Sequence, residues 1–222
     1  MKVRIVRFVI LCFVSIAYSS IGVAQGVGFD TQQRPPFQDI GAWSNRLEDP
    51  ARDQTQKPDQ VVAALRLAKN AVVADIGSGT GYFTVRLARA VPEGRVYGAD
   101  SEPKMVQYLR ERGSAEGLTN MVSVQATRAD PALPEPVDLA LIVNVQSMVK
   151  NPEDYFRRLR TNLKPGGQVA MIAYRPEAVT GSPLAMRVPA EQVKRDMAQQ
   201  GYALAAEHDF LPDQYFLVFR SQ

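Results

Sequence analysis

From residue 58 onward the spacing of apolar positions switches back and forth between two periods, and each switch predicts an element. Val61, Val62 and Leu65 fall on one face of a helix over 58–67, and the unbroken run AVVADI over 71–76 predicts a buried strand. Phe83 and Leu87, four apart, predict a helix over 82–90, and RVYGAD predicts a second strand ending at Asp100. A helix over 103–112, a strand over 121–124 and the apolar run VDLALIV over 137–143 continue the order. The next helix, over 152–163, stops at KPGG, where proline and glycine terminate it, and QVAMIA gives a further strand.

Strands alternating with helices predict a parallel sheet covered on both faces. The tail departs from that alternation. After a helix in AEQVKRDMAQQG, the runs YALAAEH and QYFLVFR are joined by only a few residues around LPD. So short a link closes an antiparallel hairpin and excludes a parallel crossover. The expected fold is α/β, a doubly wound Rossmann-like sheet of seven strands, mostly parallel and finished by an antiparallel C-terminal strand. It occupies residues 58–222 as one domain. Residues 25–57 are polar, contain Pro35 and Pro36 and hold no sustained period. They read as a flexible lead-in, with RDQTQK over 52–57 as solvated linker and a lid over a ligand as the alternative.

The start of the chain changes how composition is counted. Lys2, Arg4 and Arg7 precede the uncharged run FVILCFVSIAYSSIGVA, which ends in small residues at Ala24. This is the layout of a signal peptide over 1–24, and it predicts an exported, periplasmic protein cleaved after Ala24. The alternative is an uncleaved anchor through residues 8–24, the one route by which this sequence is expected to meet a membrane. The sole cysteine, Cys12, lies in the leader, so the cleaved chain would hold no disulfide, metal thiolate or cysteine nucleophile. No His, Asp and Glu group has metal-ligand spacing. Three of the 26 basic residues belong to the leader, leaving 23 against 23 acidic ones. A neutral domain lacks the basic excess that phosphate contacts require, which excludes nucleic acid and leaves a small molecule as the expected partner.

Between the first strand and the second helix stands ADIGSGTGYF, with Gly77, Gly79 and Gly81 at alternate positions. In an open α/β sheet the first strand-to-helix turn borders the ligand crevice, and glycine there permits positive φ and a close approach. The following helix is expected to aim free N–H groups at a carboxylate or phosphate. The spacing is not the dinucleotide fingerprint, because Tyr82 stands where its third glycine belongs. Asp100 follows Asp75 by 25 residues and ends the second strand, where an acid accepts hydrogen bonds from two ribose hydroxyls. Capping of the helix near Pro103 is its alternative role.

A strand ending in Asp75 and followed by G-x-G-x-G resembles motif I of the class I S-adenosylmethionine-dependent methyltransferases, and the likeness extends from about Pro58 to the C-terminus. The terminal hairpin is similar to the antiparallel last strand of that family. The resemblance implies the class I methyltransferase fold, S-adenosylmethionine as cofactor and a small-molecule methyl acceptor. It implies that Asp75 orders the loop and the amino end of the methionine moiety, that Gly77, Gly79 and Gly81 line the cofactor, and that Asn144 leads into the active-site loop. Ser101 takes the place of an apolar residue against the adenine ring, and Thr127 or Asp130 is left to read its amino group.

The sequence departs from the family after the fourth strand, where VNVQSMV offers Asn144, Gln146, Ser147 and Met148 and no good general base. Methyl transfer remains feasible by holding a nucleophile in line with the sulfonium. The alternative is a catalytically degenerate methyltransferase fold retained as a nucleoside-binding or interaction protein. Elsewhere, His208 reads as a strand-end residue, RRLR over 157–160 as a solvated helix face, and Trp43 and Tyr82 as packing aromatics or substrate walls. The segments 30–57 and 174–189 are the expected substrate loops.

Overall fold

The computed structural model describes residues 39–179 and 181–222. The expected leader and residues 25–38 lie outside the described residues. Strands β1 (Val72–Ile76), β2 (Arg95–Asp100), β3 (Met121–Gln125), β4 (Val137–Val143), β5 (Leu163–Tyr174), β6 (Tyr202–His208) and β7 (Gln214–Ser221) form one sheet. Its order is β3-β2-β1-β4-β5-β7-β6, and β7 runs antiparallel to both neighbours while the other pairs are parallel. This is the expected seven-stranded class I arrangement. The chain steps outward from β1 through β2 to β3, then returns to pair β4 with β1. That reversal opens a crevice at the carboxyl ends of β1 and β4.

Seven helices accompany the sheet among the described residues: α1 (Ile40–Leu47), α2 (Arg52–Gln56), α3 (Pro58–Ala64), α4 (Thr84–Ala90), α5 (Pro103–Ala115), α6 (Pro152–Thr161) and α7 (Ala190–Gln199). Period-two alternation divides each central strand between two cores. On β4, Leu139 and Leu141 pack with Val61 of α3 and Leu87 of α4, whereas Ala140 and Ile142 pack with Tyr155 and Leu159 of α6. Burial on both faces is why VDLALIV reads as a continuous apolar run rather than an alternating one. Arg157 of α6 turns outward to Asp154 at 2.8 Å, as expected of a solvated face.

The differences from expectation are local. Helix α3 ends at Ala64 because Arg66 takes a left-handed φ of 49°. Helix α4 begins at Thr84, leaving Tyr82 and Phe83 in the turn, and α5 runs on to Ala115. Strand β5 already starts at Leu163, so KPGG forms its irregular beginning, with Gly166 at φ 76° and a register shift against β4 between Val137 and Leu139. Residues 40–56, read as part of a flexible lead-in, hold two short helices: Asp39 caps α1 through the Ala42 N–H at 3.0 Å, and α2 follows. Neither helix is long enough to show a clear apolar period, and what holds them is contact with the rest of the fold. No described helix is long and apolar enough to cross a membrane.

Candidate functional site

A cavity of about 390 Å³ opens at the carboxyl ends of β1, β2 and β4, within the range of small-ligand sites. Its floor is the loop after β1. Gly77, Gly79 and Gly81 all adopt positive φ, at 73°, 54° and 94°. A Cβ on Gly77 would stand 2.7 Å from the Val145 side chain, and one on Gly81 would stand 2.4 Å from Leu109. The loop is thus pressed against its neighbours on one side, and glycine is what lets it turn there.

The loop's own first N–H groups are engaged within the protein. Gly77 and Ser78 both donate to the Ala99 carbonyl, at 2.8 and 3.2 Å, and Gly79 donates to Asp100 at 2.8 Å. Their donors are spent on tying β1 to β2, so along this stretch the loop offers a ligand close approach to its Cα atoms. The Ser78 hydroxyl is different: it is buried and has no hydrogen-bond partner. A buried hydroxyl without a partner carries a free-energy cost that a bound polar atom would relieve. Sequence reasoning passed over Ser78, because a serine between glycines looks like turn filler.

Both expected acids are in place. Asp75 is 3 % exposed and accepts a hydrogen bond from the Thr84 hydroxyl at 2.6 Å. Burial raises its pKa to about 6, with the Thr84 bond opposing the shift and the Asp100 charge adding to it. Asp100 accepts from Gly79 with one oxygen and from the Glu102 N–H with the other, at 2.8 and 2.9 Å. It therefore shapes the start of α5, close to the alternative role considered for it, and also ties the glycine loop to β2. Its pKa is also raised by burial, with those N–H bonds opposing the shift.

Ser101, Thr127 and Asn144 line the same cavity. The Thr127 hydroxyl oxygen accepts from the Ala129 and Asp130 N–H groups at 3.2 and 3.0 Å, so it closes its own turn and is poorly placed to read a base. Asp130 caps that turn through the Ala132 N–H and is absent from the lining. The apolar surface that Ser101 lacks comes from Met105, four residues on in the first turn of α5, which is buried and lines the cavity. Asn144 sits at a left-handed φ of 59°, and its Oδ1 accepts from buried Gln214 at 2.8 Å, which fixes the orientation of the amide. His208 stacks 4.6 Å from Phe216 and lies outside the lining.

The opposite wall is the segment read as solvated linker. Trp43, Leu47, Arg52 and Gln56 from α1 and α2 line the cavity, facing Tyr174, Gly181 and Ser182 after β5. Three clasps hold α1 and α2 down. Ser44 Oγ lies 2.9 Å from the Tyr108 hydroxyl. Glu48 accepts from both Thr80 and Arg112 at 2.6 Å, and Arg112 also donates to the Thr80 carbonyl at 2.9 Å. The Tyr82 hydroxyl donates to Asp53, while the guanidinium groups of Arg52 and Arg86 lie 4.0 and 4.3 Å from the Tyr82 ring centre. Tyr82, the residue that breaks the dinucleotide pattern, is thus the anchor for the lid. Burial and the bond to Asp53 push its pKa up.

Residues 73–167 match the family model described as a methyltransferase domain. The chain has the class I methyltransferase fold. It is 31% identical over 110 residues to a ubiquinone/menaquinone biosynthesis C-methyltransferase of Pectobacterium carotovorum, a match covering 48% of this chain and 43% of that enzyme. The chain spans about half the length of the curated relatives it matches. Among solved structures it superposes on a SAM-dependent methyltransferase from Aquifex aeolicus with a TM-score of 0.77 and 21% identity, covering 85% of this chain and 100% of the other. A magnesium protoporphyrin IX methyltransferase from Synechocystis with bound SAH gives a TM-score of 0.64 at 16% identity, covering 82% and 94%.

The residues present fit S-adenosylmethionine as a cofactor. Asp100 would take the ribose hydroxyls and Asp75 the α-ammonium. The glycine loop would pass under the ligand, and Met105 would face the base.

Proposed function

We propose that this protein is a methyltransferase that transfers the methyl group of S-adenosylmethionine to a small-molecule acceptor bound between the glycine loop and the α1–α2 lid. The observation that carries the reading is the tie between Gly79 and Asp100, which puts a buried acid and a Cβ-free loop at the strand switch point. When bound, the cofactor supplies an electrophilic methyl group on sulfonium. The protein binds it, orders its amino-acid end through Asp75 and covers it with Trp43 and Leu47. The basic, apolar leader over residues 1–24 supports placing this chemistry outside the cytosol.

Calorimetric titration of the full-length chain with S-adenosylmethionine and S-adenosylhomocysteine tests the reading, alongside Gly79→Arg. Micromolar binding to the wild type, abolished by the substitution, is the expected result. A folded wild type that binds neither at millimolar concentration would overturn it. The reading without turnover draws on the acceptor end: Gln146 donates to the Tyr215 hydroxyl at 3.3 Å, Asn144 is engaged by Gln214, and neither is a base. It would prevail if the cofactor bound and no label moved from its methyl group to any acceptor.

A further inference from the structure

Among the described residues, the cavity lining holds three acids and three arginines, Arg46, Arg52 and, after β3, Arg128. Its carboxylates, Asp75, Asp100 and Glu102, all stand on the β1–β2 side, where the cofactor is placed. The lid side carries Arg46 and Arg52 and no acid among its described lining residues. Arg46 is exposed, but Arg52 is not, and burial lowers its pKa. Its partners are neutral: one Nη donates to the Leu47 carbonyl, the other to Gln56 Oε1 at 2.9 Å, and the ring of Tyr82 lies beneath.

The three acids within four residues of Arg52 all engage other groups: Asp53 accepts from Tyr82 and pairs with Arg86, Asp49 accepts from the Ala51 N–H, and Glu48 accepts from Arg112 and Thr80. No ion pair to Arg52 is formed among the described residues. Five N–H donors belong to a guanidinium, so two bonds leave it under-used. A partly desolvated cation beside the place of a sulfonium is costly unless an anion lies between them. The second fact is that the lid side of the cavity, among the described residues, contributes no imidazole or carboxylate that would deprotonate an acceptor.

From these two facts, and resting on the methyltransferase reading above, we infer that the acceptor is a small carboxylate-bearing molecule whose carboxylate pairs with Arg52 and is itself the methylated group. A carboxylate is already the nucleophile, so no base is needed. One carboxylate oxygen forms the new C–O bond to the methyl carbon as the S–C bond breaks, and that electron pair returns to sulfur. The negative and sulfonium charges cancel, no proton moves, and the products are a methyl ester and a neutral thioether. The ester has lost the charge that Arg52 held, which favours release of product over substrate. Trp43 and Tyr174 supply flat apolar walls for the body of such a molecule.

The test uses the full-length chain, its Arg52→Gln and Arg52→Lys variants, and a panel of carboxylic acids from succinate to cinnamate, each with its matching amide. With the protein saturated in S-adenosylhomocysteine, at least one acid should bind about 10- to 100-fold more tightly than its amide, the span expected of a charge-assisted hydrogen-bonded pair. Arg52→Gln should erase that preference and Arg52→Lys restore part of it, with melting temperatures and S-adenosylhomocysteine affinity unchanged. Label transferred from methyl-labelled cofactor should be released as methanol by mild alkali, as an ester demands. Two results overturn the inference. One is a panel in which no acid outperforms its amide. The other is an Arg52→Gln variant that loses S-adenosylhomocysteine but keeps 5′-methylthioadenosine, which lacks the carboxylate, since Arg52 would then serve the cofactor. A wild type that binds no S-adenosylhomocysteine would remove the methyltransferase reading itself, a failure distinct from either.

Discussion

The two walls of the cavity are built by opposite means. The loop wall is made of backbone: three glycines at positive φ, N–H groups spent on Ala99 and Asp100, and packing so close that a methyl group would collide. The lid wall is made of side chains on two short helices that depend on Glu48, Asp53 and Ser44 reaching partners far along the chain. A wall fixed by its own backbone tolerates almost no substitution. A wall fixed by scattered side-chain clasps can change its lining while keeping its place, which suits the part of an enzyme that meets a variable substrate.

The largest effect should come from breaking the loop wall. In Gly81→Ala a β-carbon would sit 2.4 Å from the buried Leu109 side chain at φ 94°. A loss of about 2–3 kcal/mol in urea denaturation is expected, with loss of S-adenosylhomocysteine binding. Gly117→Ala is the control: φ is 66° but nothing lies within 4 Å, so only the conformational cost of about 1 kcal/mol should appear. Equal losses at the two sites would mean that loop packing is not what glycine serves. Next comes Asp100→Ala, which removes the acceptor for Gly79 and Glu102 together with the proposed ribose contact. It should weaken S-adenosylhomocysteine by about 10- to 100-fold in calorimetry, with the lid substitutions leaving that affinity nearly intact.

A pH titration sharpens the comparison without a mutation. Asp75 has its pKa raised to about 6 by burial, and it must be ionised to hold an ammonium. Affinity for S-adenosylhomocysteine should therefore be level above pH 7 and fall through pH 6, reaching about a tenth of its plateau near pH 5. The unliganded protein should respond with the opposite sign. A carboxyl whose folded pKa lies above its unfolded value favours the folded state when protonated, so Asp75 stabilises less as pH rises from about 4 to 6. Affinity that stayed constant to pH 5 would remove Asp75 from the ammonium site.

The same contrast explains what could be read from the sequence. Sheet, crossovers and hairpin were legible because burial on both faces forces apolar runs, and a short link forces an antiparallel return. The places of Asp75, the glycines and Asp100 were legible because each belongs to one strand end. The lid was not. Residues 40–56 have no long apolar period, and the acids that pin them, Glu48 and Asp53, look like ordinary solvated charges until Arg112, Thr80 and Tyr82 arrive from elsewhere. Thr127 lines the cavity where its place in the chain suggested, while its hydroxyl closes a turn.

The smallest effect should come from loosening the lid. Arg112 bridges Glu48 of the lid, the Thr80 carbonyl of the loop and Glu116 of its own neighbourhood, at 2.6, 2.9 and 2.8 Å. Arg112→Gln removes that bridge but leaves Ser44 and Asp53 to hold α1 and α2 through Tyr108 and Tyr82. One partly exposed clasp of this kind is worth about 1 kcal/mol, far less than the core beneath it. Global melting should therefore hardly move, while trypsin should cut at Arg46 and Arg52 several-fold faster, because local opening now precedes global unfolding. Saturating S-adenosylhomocysteine should slow that cutting again, since a ligand roofed by Leu47 stabilises the closed lid. If cleavage and melting instead changed in step, the lid would be part of the cooperative fold, and the two walls would differ in sequence but not in mechanics.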